Sequence, residues 1–151
     1  MAHALRNDTI EILGDLIAFP SISQQSNLEL IAYLNGRLDQ IGARTFLTLD
    51  PGGAKANLFA TIGPPDMDGG VVLSGHTDVV PVEDQDWSSD PFTATLRHER
   101  IYGRGACDMK GFIACAMAYA PLFAEANLKR PLHLAFTYDE EVGCLGAQVM
   151  L

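Results

Sequence analysis

Apolar positions recur at helical spacing near the start of the chain, where Ile10, Leu13, Leu16 and Ile17 share one face of a segment over residues 9–19 that Pro20 closes. A second stripe, Leu28, Ile31, Leu34, Leu38 and Ile41, runs to Gly42 and predicts another amphipathic helix. Ser26 and Glu29 have the spacing of a capping box at its start. The pattern then shortens. Residues 45–49 and 58–62 are rich in β-formers and flank a Pro-Gly-Gly turn at Pro51, Gly52 and Gly53, which predicts paired strands without fixing their direction.

Two all-apolar runs stand apart from these. Val71, Val72 and Leu73 follow a polar turn over residues 66–70, and Leu132, Leu134, Ala135, Phe136 and Thr137 follow Pro131. Both have the composition expected of strands buried on two faces. Between them, residues 110–125 read as a helix with Phe112, Ile113, Ala116, Met117, Ala120 and Phe123 inward, and Asp108 at its N-terminal end. Strands alternating with helices predict an α/β fold, in which ligands bind beyond the carboxyl ends of the strands. No repeat or low-complexity linker divides the chain, so one continuous domain over residues 1–151 is expected.

Composition narrows the class of function. The chain has 151 residues, 48% of them apolar, enough for a substantial core. A formal charge of -9 disfavours nucleic acid and anionic membranes as partners. The apolar runs are far shorter than the roughly 20 residues of a membrane span, and Arg6, Asp8, Glu11 and Asp15 interrupt the first segment as no signal peptide would allow, so a cytoplasmic protein is expected. Cys107, Cys115 and Cys144 lack CxxC spacing and predict reduced, mostly buried thiols.

The candidate chemistry gathers at the strand ends. His76 and Asp78 follow the first apolar run, Asp139, Glu140 and Glu141 follow the second, and Asp108 lies between. Carboxylates brought together repel one another, and divalent cations bound by carboxylate and imidazole would relieve that repulsion. Residues two apart in extended backbone point the same way, so Asp78 could orient the His76 imidazole. Of the adjacent glutamates one could ligate while the other takes a proton from water, whose pKa zinc lowers to about 7. His3, His98 and His133 have no partner motif; Lys110, and Arg104 in its Gly-Arg-Gly turn, are ambiguous.

Four blocks carry a resemblance that covers nearly the whole chain: SGHTDVVPV over residues 74–82, WSSDPF over 87–92, YGRGACDMKG over 102–111 and TYDEEVGCLGA over 137–147. Their order and content resemble the dinuclear zinc aminoacylases, deacetylases, desuccinylases and glutamate-releasing carboxypeptidases, and within that family the acetylornithine deacetylases most. The resemblance implies a layered αβα catalytic domain with a mixed, mostly parallel sheet. It implies two zinc ions, with cobalt or another divalent ion as a substitute. His76 would bind one metal, Asp108 bridge both and Glu141 bind the other, with Glu140 as general base, Asp78 orienting His76 and a cis peptide between Asp108 and Met109.

The implied reaction is hydrolysis of a small N-acyl amino acid, N-acetylornithine to ornithine and acetate in arginine biosynthesis, with succinyl-diaminopimelate desuccinylation as the alternative. A non-catalytic metal-binding or interaction module and a metal-free α/β binding domain are the readings from other classes. The resemblance also implies a lid domain that commonly forms a homodimer interface, a further carboxylate ligand and a late histidine ligand. None of these falls within the 151 residues, and residues 146–151 begin an apolar-faced helix with no cap. A chain truncated before the lid and final strands, and inactive by itself, is therefore expected.

Overall fold

A computed structural model describes residues 2–151. The first helix, α1 (Ala2–Ala18), is followed by α2 (Leu28–Gln40), then by strands β1 (Arg44–Leu49), β2 (Ala56–Ile62) and β3 (Val71–His76). A short hairpin, β4 (Thr95–Arg97) and β5 (Arg100–Tyr102), precedes α3 (Lys110–Glu125), β6 (Leu132–Thr137) and α4 (Leu145–Met150). Helix α1 begins earlier than its apolar stripe predicts. The expected capping box is not formed: the N-cap of α2 is Asn27, and Ser26 Oγ accepts a bond from the Leu28 amide instead. Asn27 faces inward, donating to the Ala56 carbonyl and accepting from the Ala56 amide at 2.9 Å each, so it ties the start of α2 to β2.

The main sheet has the order β1-β2-β6-β3. β1 pairs antiparallel with β2, β2 antiparallel with β6, and β3 parallel with β6. The α/β class and the mixed sheet are as expected, but among these strands parallel pairing is confined to β3 and β6, because β1 and β2 form a hairpin on one edge. Register pairs His76 with Thr137. The carboxyl ends of β3 and β6 therefore lie side by side, joined through the α3 crossover, and this is where the polar residues gather.

One face of the sheet is closed. Leu58, Ala60, Ile62, Leu132, Leu134 and Phe136 alternate inward against Leu16, Ile17, Leu34, Leu38, Ile113 and Met117 of the three long helices. Buried apolar area contributes about 25 cal/mol per Å², and this layer is the continuous core of the domain. The other face carries only α4 among the described residues. Phe46, Phe59, Val72 and Ala135 line a concavity of about 560 Å³ there, with Met150 and Leu151 at its rim.

Three expectations are corrected. Val71 and Val72 are 59% and 54% exposed, not buried on both faces, because β3 is an edge strand beside the open face. Phe112 is 38% exposed, while α3 turns Ile113, Ala116, Met117 and Ala120 inward. All three cysteines are free, as expected, but exposed: Cys107 and Cys144 sit in turns and Cys115 on the outer face of α3.

Candidate metal centre

The site is built from three chain segments that leave the carboxyl end of the sheet or enter α3. His76 is the last residue of β3 and is buried, with its ring held from both sides. Its Nδ1 lies 3.0 Å from the backbone oxygen of Asp78 and 3.5 Å from that residue's carboxylate. An Nδ1–H donated to the carbonyl leaves Nε2 to face the cleft, 3.1 Å from Asp108 Oδ1 and 3.7 Å from Glu140 Oε2. Ligand atoms of His76, Asp108 and Glu141 all lie within 4.8 Å of one another. One imidazole and two carboxylates at that separation suit a divalent cation such as zinc, which takes both donor types.

Local backbone features aim these groups. The Asp108–Met109 peptide bond is cis. The preceding turn requires Gly105, whose φ is +78° and whose missing Cβ would lie 2.7 Å from Val79 Cγ1. Lys110, fully buried, reaches across to donate from Nζ to the Phe19 carbonyl at 2.6 Å, anchoring the start of α3 to the end of α1. Burial pushes the Lys110 pKa down to about 7. On the β6 side, Gly146 N donates to the Tyr138 carbonyl and Asn57 Nδ2 donates to the Gly146 carbonyl, closing the turn that carries Glu140 and Glu141.

Asp78 is the hub. Its Oδ1 accepts from Glu140 N at 2.9 Å, and its Oδ2 accepts from Ser23 Oγ at 2.7 Å and Glu141 N at 3.3 Å. Burial pushes this carboxyl upward, but the His76 ring, the Glu140 amide and the Ser23 hydroxyl outweigh it and hold Asp78 below the usual carboxylate range. For His76, burial opposes the charged form, yet the Asp78 and Asp108 carboxylates prevail and raise it to about 9. Burial, with the Asp108 charge added, raises Glu141. A cation would lower that mutual repulsion.

The five residues expected at the site, His76, Asp78, Asp108, Glu140 and Glu141, all meet at this end of the sheet. Asp139 does not join them. It is 1% exposed and paired with Lys55, and its Oδ1 accepts from the Gln24 amide at 2.7 Å. Lys55 and Ser23 escape sequence reasoning because their partners lie 84 and 55 residues away, with no local pattern linking them.

Adjacent parallel strand ends that present one imidazole and two carboxylates within 4.8 Å of one another offer a donor set suited to a divalent cation. The sequence profile of peptidase family M20/M25/M40 matches residues 72–151, and the chain belongs to that family. It is 40% identical over 146 residues to the acetylornithine deacetylases of Salmonella arizonae and Salmonella newport, a match covering 92% of this chain and 38% of each of those proteins. The chain thus spans well under half the length of these relatives. Among solved structures it is similar to an M20 family metallo-carboxypeptidase of Sulfolobus solfataricus, with TM-score 0.80, 25% identity, and 93% of this chain and 33% of that one covered. It is also similar to human carnosine dipeptidase 1, with TM-score 0.77, 25% identity and coverage of 96% and 34%. No helix among the described residues is long and apolar enough to cross a membrane.

Proposed function

We propose that residues 1–151 form the N-terminal portion of a zinc-peptidase-like catalytic domain, and that this domain hydrolyses the amide of an N-acyl amino acid, N-acetylornithine foremost. The convergence of His76, Asp108 and Glu141 carries the reading, supported by the 40% identity to acetylornithine deacetylases. In it, His76 Nε2 and the carboxylates of Asp108 and Glu141 would hold the metal, zinc or a substitute such as cobalt. The metal, when bound, supplies Lewis acidity toward the scissile carbonyl and acidifies water.

The remaining work falls to the chain. Glu140 is 44% exposed in its side chain and lies beside Nε2 of His76, so its carboxylate can take a proton from water and return it to the leaving amine nitrogen. Asp78 keeps that glutamate in place by accepting its backbone amide, and orients the His76 ring. Acetate and ornithine are the products of this proposal.

Cobalt titration of the purified chain, followed by visible absorption, tests the metal site. The chain takes up cobalt and His76→Ala loses it; a chain whose absorption stays flat under saturating cobalt sinks the reading. The chain spans 38% of the length of the acetylornithine deacetylases it matches, and in this proposal the 151 residues by themselves bind metal weakly and are inactive. Acetate release from N-acetylornithine at rates comparable with those of a full-length relative would overturn that part.

A further inference from the structure

The segment between α1 and α2 forms no regular element, yet it is laced to both loops of the candidate site. Ile22 makes a parallel bridge with Val79, through Val79 N donating to the Ser21 carbonyl at 2.9 Å and Ser23 N donating to the Val79 carbonyl at 3.0 Å. Ser21 Oγ donates to the Thr77 carbonyl at 2.6 Å. Gln24 N donates to Asp139 on the other loop. A length of irregular chain this firmly attached acts as a strap across the ends of β3 and β6.

Ser23 is where the strap reaches the chemistry. Asp78 is 2% exposed and accepts three donors, of which the Glu140 and Glu141 amides belong to the β6 loop and only the Ser23 hydroxyl comes from a side chain. A carboxylate accepts through about four lone-pair directions, so each donor fixes part of its orientation. The His76 ring has the Asp78 backbone oxygen 3.0 Å from Nδ1, nearer than the carboxylate at 3.5 Å. The carboxylate's shorter bonds therefore go to Ser23 and the Glu140 amide.

We infer that Ser23 is a positioning residue of the metal centre: its hydroxyl pins the Asp78 carboxylate, which in turn holds the backbone of the Glu140–Glu141 pair. The inference rests on the proposed metal site for its consequence, but not for its geometry. Without the hydroxyl, the buried carboxylate lacks one donor and is free to rotate toward His76, loosening the two glutamate amides.

The test compares Ser23→Ala, Ser23→Val and Ser23→Thr in the full 151-residue chain. Two readouts are used: amide hydrogen exchange at Glu140 and Glu141 without metal, and cobalt affinity. Loss of the hydroxyl in Ala and Val speeds exchange at those two amides about tenfold while α2 keeps its protection, and weakens cobalt binding about tenfold. Thr restores both. Exchange and affinity within about twofold of wild type in Ala and Val overturn the inference, as does failure of Thr to restore them. Loss of folding in both Ala and Val also overturns it, because the residue is then a general structural one. A wild-type chain that binds no cobalt sinks the metal-site reading, and the exchange measurement still decides Ser23.

Discussion

The two parallel strand ends that carry the site each bury an aspartate, and the two are stabilised by opposite means. Asp78, after β3, accepts from a hydroxyl and two amides, with the His76 ring 3.5 Å away. Asp139, after β6, is satisfied by the Gln24 amide and the Lys55 ammonium, which also lies over the Tyr138 ring. The cation-capable neighbour of Asp78 is the His76 ring, itself part of the candidate centre, whereas Asp139 is neutralised by a lysine that stands outside it. That difference explains why only one of two neighbouring buried aspartates takes part in the candidate centre.

The comparison breaks most visibly at Lys55. Lys55→Met strands Asp139 without its countercharge and should cost about 3–5 kcal/mol, read as a lowered denaturant midpoint. Next in size, Asp78→Asn keeps the shape of the hub but replaces one acceptor by a donor facing other donors. It should cost about 1–3 kcal/mol and abolish cobalt uptake, measured by urea unfolding and absorption titration.

His76 sharpens the contrast through pH. Its folded pKa of about 9 lies above the ordinary 6.5, so in the metal-free chain its charged form contributes stability that is complete below pH 6.5 and lost as pH rises through 9. The unfolding midpoint should fall across that window, and His76→Asn should flatten the fall. The smallest effect is expected at Cys144, whose Sγ sits 3.7 Å from Glu140 Oε1 at the surface. Cys144→Ser should change stability by no more than about 0.5 kcal/mol, and a larger loss in thermal unfolding would show that this turn contributes to the hub.

Much of this was legible in the chain itself. Helix α3 has the predicted bounds, and the residues after β3, before α3 and after β6 meet because a β-α-β crossover brings successive strand ends together. Partners separated widely in sequence were not legible: Asn27 with Ala56, Ser23 with Asp78, Lys55 with Asp139. The β4-β5 hairpin also went unseen. His98 and Glu99 both have positive φ in its turn, a conformation that normally advertises itself through Gly or Asn. The exposure of Val71 and Val72 could not be read either, since an apolar run does not reveal that its strand stands at an edge.

That edge has a practical consequence for anyone titrating metal. β3 is hydrogen-bonded on one side, to β6, among the described residues, and its outer rim runs from Val71 to His76. An unpaired rim beside an apolar face is a template for another strand, so self-association along β3 would reach His76, the residue of that strand in the candidate centre. Binding curves therefore need to be collected at more than one protein concentration: curves that superimpose report the ion, and curves that drift report the company the strand keeps.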